Sequence, residues 1–192
     1  MTETKAALRK SLRAERRRHV AALPDATRAL LFRVPPAPLL ALVPERATVG
    51  LYHATANEAP AAAYARFFHE RGHPIALPRF GDHAAVMEFA AFTDPFGEDD
   101  LETGPYGLKQ PDPNAEVMVP DVLIVPVVGF SAEGHRLGQG GGHYDRWLAA
   151  HPHAIAIGLA WDTQLIDTMP HEPHDRSLAA VVTPTRLYGP FA

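Results

Sequence analysis

The stretch VPVVGFSAEGHRLGQGGGHYDRWL, residues 125–148, decides the fold. It leads from an apolar run (Val122, Leu123, Ile124, Val125, Val127, Val128) through a glycine-rich loop into a short helical pattern that opens near His143. Strand, glycine loop and helix in that order form a phosphate site. Gly138, Gly140, Gly141 and Gly142 can take backbone angles closed to other residues, and lacking side chains they let several N–H groups converge on one anion. The positive end of the helix that follows adds to the attraction. Arg136 places a cation just before the glycines, and Asp145 puts a carboxylate in the helix's first turn, where a magnesium ion bridging phosphates could lie. The loop is neither a Walker loop, since no GK[ST] follows, nor a full dinucleotide fingerprint. A glycine-rich strand-to-helix turn with no ligand is the alternative at this point.

The rest of the composition bounds what such a loop could serve. At 192 residues the chain fits one domain with a sizeable core. A formal charge of -4 argues against a surface made for nucleic acid or anionic membrane, so any polyanion site must be local. Cysteine is absent, which excludes thiol catalysis and cysteine zinc sites. The apolar runs are too short to span a bilayer, and the basic N-terminus lacks a signal-type apolar core, so a cytoplasmic protein is expected.

Upstream, residues 3–22 read as a helix with Thr2 or Thr4 as cap and Leu8 and Leu12 on one side. Lys5, Arg9 and Arg13 follow at i, i+4 spacing and share a face that can meet phosphates; a solvated basic face is the alternative. A short helix over 25–32 is expected to end at Pro35, Pro36 and Pro38, with an apolar piece at 39–43. Residues 47–52 read as the first strand, 60–71 as a helix stopped by Gly72, and 73–78 as a second strand ending at Arg79, which suggests a parallel crossover. Glu58 lies at the strand-to-helix junction, where an acid either contacts a ligand or caps the helix. Residues 86–92 alternate as a strand. The segment 93–114 is a long loop without periodicity, in which Tyr106 could stack on a planar ligand or plug the core.

Downstream, a helix over 143–150, a strand over 154–159, a helical turn over 164–167 and a last strand over 179–183 are expected. Alternating elements of this kind give a single-domain, three-layer α/β open sheet, mostly parallel and Rossmann-like, with helices on both faces. Ligands of such sheets gather beyond the carboxyl ends of the strands, where Glu58, Arg79 and the glycine loop all fall. His171 and His174 form an HxxH on a proline-containing loop, which raises a zinc site but lacks helical registry and a third strong ligand. Ser131 has no nucleophile-elbow context.

Taken together, GFSAEGHRLGQGGGHYDRWL, the later IGLAWDTQ, MPHEPHD and VVT segments, and the N-terminal lysine and LR helix resemble the 5-formyltetrahydrofolate cyclo-ligase family, the methenyltetrahydrofolate synthetases, over nearly the whole chain. The resemblance implies ATP- and Mg2+-dependent cyclisation of 5-formyltetrahydrofolate to 5,10-methenyltetrahydrofolate, with ATP as co-substrate. It implies that Lys5 and Arg9 reach the phosphates and that Arg136, Leu137, Gly138, Gln139, Gly140, Gly141, Gly142, His143 and Tyr144 wrap the nucleotide, Arg136 and Tyr144 being the catalytic pair. It implies a folate side made of His53, Glu58, Tyr106, Gln139 and His143, with magnesium held by Asp145 and Asp175. A monomer that binds neither nucleic acid nor membrane is expected. Gln139 and His143 depart from the arginine or aromatic and the tyrosine that many members carry there, and Pro60 follows Glu58 where an acid or polar residue is usual. Two alternatives follow: a nucleotide-binding regulatory module of the same fold that has lost the cyclisation, and an RNA-binding protein using Arg9, Arg13, Arg16, Arg17 and Arg18.

Overall fold

A computed structural model describes residues 4–81, 86–170, 172 and 175–191. The chain opens with helix α1 (Lys5–Ala22), whose first turn is closed by the Thr4 hydroxyl accepting from the Ala7 N–H. Leu8, Leu12, Arg16 and Val20 recur at helical spacing and are its buried side. Two short helices follow, α2 (Asp25–Leu30) and α3 (Ala37–Leu40). The prolines expected to stop a helix instead start one. Pro36 is the N-cap of α3 and Pro38 stands in its first turn, where a missing N–H costs nothing.

Among the described residues the larger sheet is built of β1 (Val49–Gly50), β2 (Ile75–Arg79), β3 (Glu88–Ala91), β6 (Val117–Met118), β7 (Val122–Pro126), β10 (Ile155–Leu159), β11 (Ala180–Val182) and β12 (Leu187–Tyr188). Their order across it is β12-β11-β10-β7-β1-β2-β3-β6. The neighbours from β11 to β2 pair in parallel, while β12, β3 and β6 are antiparallel additions at the edges. The open, mostly parallel sheet expected from the alternation is present. Its two faces carry separate cores. Val122, Ile124, Ile157 and Leu77 pack beneath α1, α3 and helix α4 (Ala62–Glu70), and Leu123, Val125, Ala156 and Ala76 pack beneath helix α5 (His143–Ala150) through Trp147 and Leu148. β7 lies near the middle, and its residues 122–125 are fully buried, which is why it reads as an unbroken apolar run. In β1 a side chain at Gly50 would run into the side chains of Leu123 and Pro120, so the tight packing there favours glycine.

Strand order explains where a ligand can go. From β1 the chain moves outward to β2, then returns to β7 on the other side of β1 and moves outward again to β10 and β11. The order reverses between β1 and β7, and the loops leaving their carboxyl ends diverge there to open a crevice. Two hairpins complete the described structure: β4 (Leu101–Thr103) with β5 (Lys109–Pro111), and β8 (Gly129–Phe130) with β9 (Arg136–Leu137). The first occupies part of the expected structureless segment 93–114. The second is inserted between β7 and the glycine loop, so strand and loop are not directly joined. A short 3-10 turn falls at Asp162–Gln164, slightly before the expected 164–167. No helix among the described residues is long and apolar enough to cross a membrane.

Candidate functional site

The loop leaving β1, residues 51–61, is pinned from two sides. The Tyr52 hydroxyl donates to the Ala59 carbonyl, and the indole N–H of the fully buried Trp161, just past β10, donates to the Asn57 carbonyl at 3.1 Å. Glu58 is thereby held at the rim of the crevice. It does not cap α4, for which no side-chain cap is formed. One of its carboxylate oxygens accepts from the Thr55 N–H at 2.8 Å and the other from the Gln139 side-chain amide at 3.1 Å.

Across the crevice the glycine loop follows β9 and ends at α5. Gly140 and Gly142 have φ of +106° and +65°, angles that favour glycine, and Gly142 is the N-cap of α5. Gly138 and Gly141 do not have positive φ, so the freedom that glycine offers is used at two of the four positions. At Gly138 an added Cβ would meet nothing within 4 Å, so its role is to leave the floor of the crevice clear. The loop is held from outside by α1. The Arg9 Nε donates to the Gly138 carbonyl at 2.8 Å, and Arg13 donates to the Gln139 backbone carbonyl at 2.7 Å and to its side-chain oxygen. The shared face of Lys5, Arg9 and Arg13 is therefore turned on the loop rather than left in solvent.

Arg136 is almost wholly buried, with its side chain 4% exposed; it donates to the Asp145 carboxylate and to the Arg176 carbonyl. Burial lowers its pKa while Asp145 and Asp175 both oppose the shift, so the two carboxylates share one guanidinium's field. Asp175 is held by the Lys5 ammonium at 2.7 Å and also accepts the Glu172 N–H; Lys5 in turn reaches Glu172 at 2.6 Å. Tyr144 is pushed above its ordinary phenol range by desolvation and by Glu58, with Arg136 opposing, so its hydroxyl keeps its proton and can donate. His143 is pushed below the usual imidazole range by burial and by Arg146, which leaves it neutral at pH 7.

These groups line one cavity of about 510 Å3. Lys5, Arg9, residues 136–145, Asp175, His53, Glu58 and Tyr106 all line it. His53 contacts Glu98 at 3.2 Å. Tyr106 is 48% exposed, so it does not plug the core; its backbone is left-handed (φ 67°), and its ring meets Phe80 edge-on. Phe80 also meets the His143 ring, so the three form an aromatic wall. The site residues implied by the family resemblance all line this cavity. Arg79 does not, being tied to Glu88 and to the carbonyls of Asp112 and Ala115 as a buried brace for the sheet edge. Phe80 and Gln110 were missed. Phe80 immediately follows the carboxyl end of β2, a signal that was available; Gln110, which exchanges hydrogen bonds with the Phe80 backbone, carried none.

Asp145 and Asp175 suit a hard cation by chemistry, since both are carboxylates facing one cavity. Among the described residues no group of three or more His, Asp or Glu side chains gathers to hold an ion alone. An ion there would take its remaining ligands from water or phosphate, as magnesium commonly does. The HxxH zinc reading falls on His171 and His174, which lie outside the described residues.

The sequence model of the 5-formyltetrahydrofolate cyclo-ligase family matches residues 1–184. The 5-formyltetrahydrofolate cyclo-ligase of Escherichia coli is 47% identical over 70 residues, 35% of this chain and 38% of that protein. That of Mycolicibacterium smegmatis is 33% identical over 144 residues, 72% of this chain and 74% of the relative. The NMR structure of Aquifex aeolicus 5,10-methenyltetrahydrofolate synthetase superposes with a TM-score of 0.73 at 25% identity, covering 97% of this chain and 92% of the other.

Proposed function

This chain belongs to the 5-formyltetrahydrofolate cyclo-ligase family, and on that premise we propose that it converts 5-formyltetrahydrofolate to 5,10-methenyltetrahydrofolate with ATP and magnesium, releasing ADP and phosphate. The observation that carries the reading is the shared cavity: the glycine cradle with its cations and the wall of Glu58 and Tyr106 open on the same space. A nucleotide and a second, planar substrate can therefore be brought into contact there.

The chemistry needs positioning and charge neutralisation more than an enzyme nucleophile. A formamide oxygen is a poor leaving group. It attacks the terminal phosphorus of ATP, ADP departs, and the 10-position amine attacks the activated formyl carbon. Loss of the amine proton and of phosphate then gives the methenyl bridge. Lys5, Arg9 and Arg136 offset the charge that develops on the phosphates, and the loop N–H groups hold them in place. Tyr144, kept protonated, is a hydrogen-bond donor at the same end. Glu58 accepts N–H donors of the folate ring, while Tyr106, Phe80, His143 and His53 wall its faces. Asp145 and Asp175 would hold the magnesium ion, which when bound draws charge from the phosphate oxygens. The proposal includes action as a monomer in the cytoplasm, with sedimentation as the check on the first.

The test is to mix the purified protein with 5-formyltetrahydrofolate, ATP and magnesium and follow methenyl absorbance. Product should form, and omission of ATP or magnesium should abolish it. ATP binding without methenyl product would instead identify the nucleotide-binding module that lacks folate chemistry.

A further inference from the structure

Alone among the arginines of α1, Arg16 is buried, 7% exposed. A guanidinium taken out of water needs an anion or a full set of acceptors, and doing without both is costly. Among the described residues Arg16 has neither. It makes no ion pair, its Nε meets no acceptor, and its Nη1 has only a long contact, 3.5 Å, to the Val127 carbonyl. That carbonyl is already taken by the Gln164 side-chain amide at 2.6 Å. The neighbouring Tyr52 phenol supplies no negative charge, since burial keeps it protonated, and Arg13 and Arg17 add charge of the same sign.

The face of the helix shows where the missing charge lies. Arg13, Arg16 and His19 follow at i, i+3 spacing, so Arg16 stands between the other two. Arg13 holds Gln139, which donates to Glu58. His19 packs its ring on Trp161, with 5.4 Å between centroids, and Trp161 holds the carbonyl of Asn57, the residue before Glu58. Arg16 is thereby set beneath Glu58, whose charge is the largest of those favouring the cationic form of the guanidinium. Glu58 has the converse shortage. Its donors, the Thr55 N–H and the Gln139 amide, are neutral, and it makes no ion pair among the described residues. On the folate reading of the main cavity, we propose that Arg16 is a positioning residue for the reaction: from behind the cavity wall it supplies the positive charge that holds the Glu58 carboxylate in place to meet the folate. Arg16 is not among the residues lining the cavity, so it acts through Glu58 and not on the substrate.

The experiment is a double-mutant cycle on the full chain, Arg16→Met with Glu58→Gln, read by the kinetics of methenyl formation and by melting temperature without ligands. Arg16→Met should raise the folate KM about three- to tenfold, the loss of one charge contact, while kcat and the KM for ATP stay within about twofold. Arg16→Lys, which keeps the charge, should recover most of that loss, and in the Glu58→Gln background Arg16→Met should add little to it. Glu58→Gln alone leaves the buried guanidinium uncompensated, so it should melt lower than wild type, and adding Arg16→Met should restore part of the difference. Should Arg16→Met fail to fold, Arg16→Gln replaces it in the same cycle. Equal rises in both KM values, Arg16→Lys no better than Arg16→Met, or melting shifts that simply add overturn the pairing. A wild type that forms no methenyl product removes the folate role, while restored melting in the double variant still establishes the charge pair.

Discussion

At Arg136 the buried guanidinium holds Asp145 and the Arg176 carbonyl together, so one side chain braces the loop and faces the cavity. Arg136→Ala leaves a partly buried carboxylate and a carbonyl without their donor, which should cost about 1–3 kcal/mol of stability. It should also weaken ATP binding roughly tenfold or more, the loss of one charge-assisted contact. Urea unfolding and ATP titration measure the two separately, and a variant unchanged in both would take Arg136 out of the site. Asp94 gives a residue-level test on the opposite wall. Its carboxylate accepts the N–H groups of Gly97 and Asp99 and shapes the turn that presents Glu98 to His53. Those backbone bonds, Gly97 first, hold its pKa below the ordinary 3.8. A depressed acid contributes stability that is present above its unfolded pKa and is lost as pH falls through the folded one. Asp94→Asn should therefore melt lower than wild type at about pH 7, with the gap closing only below about pH 4. A gap that stays constant down to about pH 2.5 would show that the charge is not what the turn uses.

Helix α1 works on the site as an element, because residues four apart on one face put Lys5, Arg9 and Arg13 along the loop that they hold. The link continues from Arg13 through Gln139 to Glu58, joining the glycine loop to the proposed folate acid. Gln139→Ala should raise KM for both substrates by about two- to tenfold, the range of a solvent-accessible hydrogen bond. Combined with Glu58→Gln, its effect on folate KM should be less than additive, since both substitutions break the same bond. Full additivity would separate the two residues. The longer helices and the parallel strands were legible in the sequence because their signals are local: Thr4 caps, Gly72 stops, and the run from Val122 to Val125 alternates between two buried faces, whereas α3 was hidden by prolines that start it rather than stop its predecessor. The hairpins at 101–111 and 129–137 were not, because strands of two or three residues are too short to show a period. The first is tied down by Gln110 clasping the Phe80 backbone, a contact across thirty residues that no local pattern announces. The site residues were legible through the glycine loop and the family resemblance; their partners, Arg13 on Gln139 and Lys5 on Asp175, depend on how α1 docks.

Across the whole molecule, the site draws on α1, the β1 and β7 loops, Glu172 and Asp175, so charge balance in the cavity couples distant parts of the chain. The two carboxylates proposed for magnesium are each matched to a cation of the cradle: Asp145 to Arg136, and Asp175 to Lys5. Magnesium arriving alone would have to compete with those cations and would leave Arg136, almost wholly buried, without its carboxylate. Nucleotide phosphates change that balance. Bound at the proposed cradle, they would give Lys5 and Arg136 new anionic partners and would leave Asp145 and Asp175 free to hold a metal ion. Magnesium and ATP should therefore bind as one unit. The measurement is the thermal shift given by magnesium alone, ATP alone and both together. Each alone should move the melting temperature little, whereas the pair at about 100 times its Kd should stabilise by roughly 2.7 kcal/mol. Asp145→Asn and Asp175→Asn should each raise the magnesium concentration needed to reach the full shift, and the double variant should fall short of the sum because both act through one ion. A large shift from magnesium alone, or single variants that titrate like wild type while folded, would sink the partner exchange and leave the phosphate cradle without a protein-bound metal.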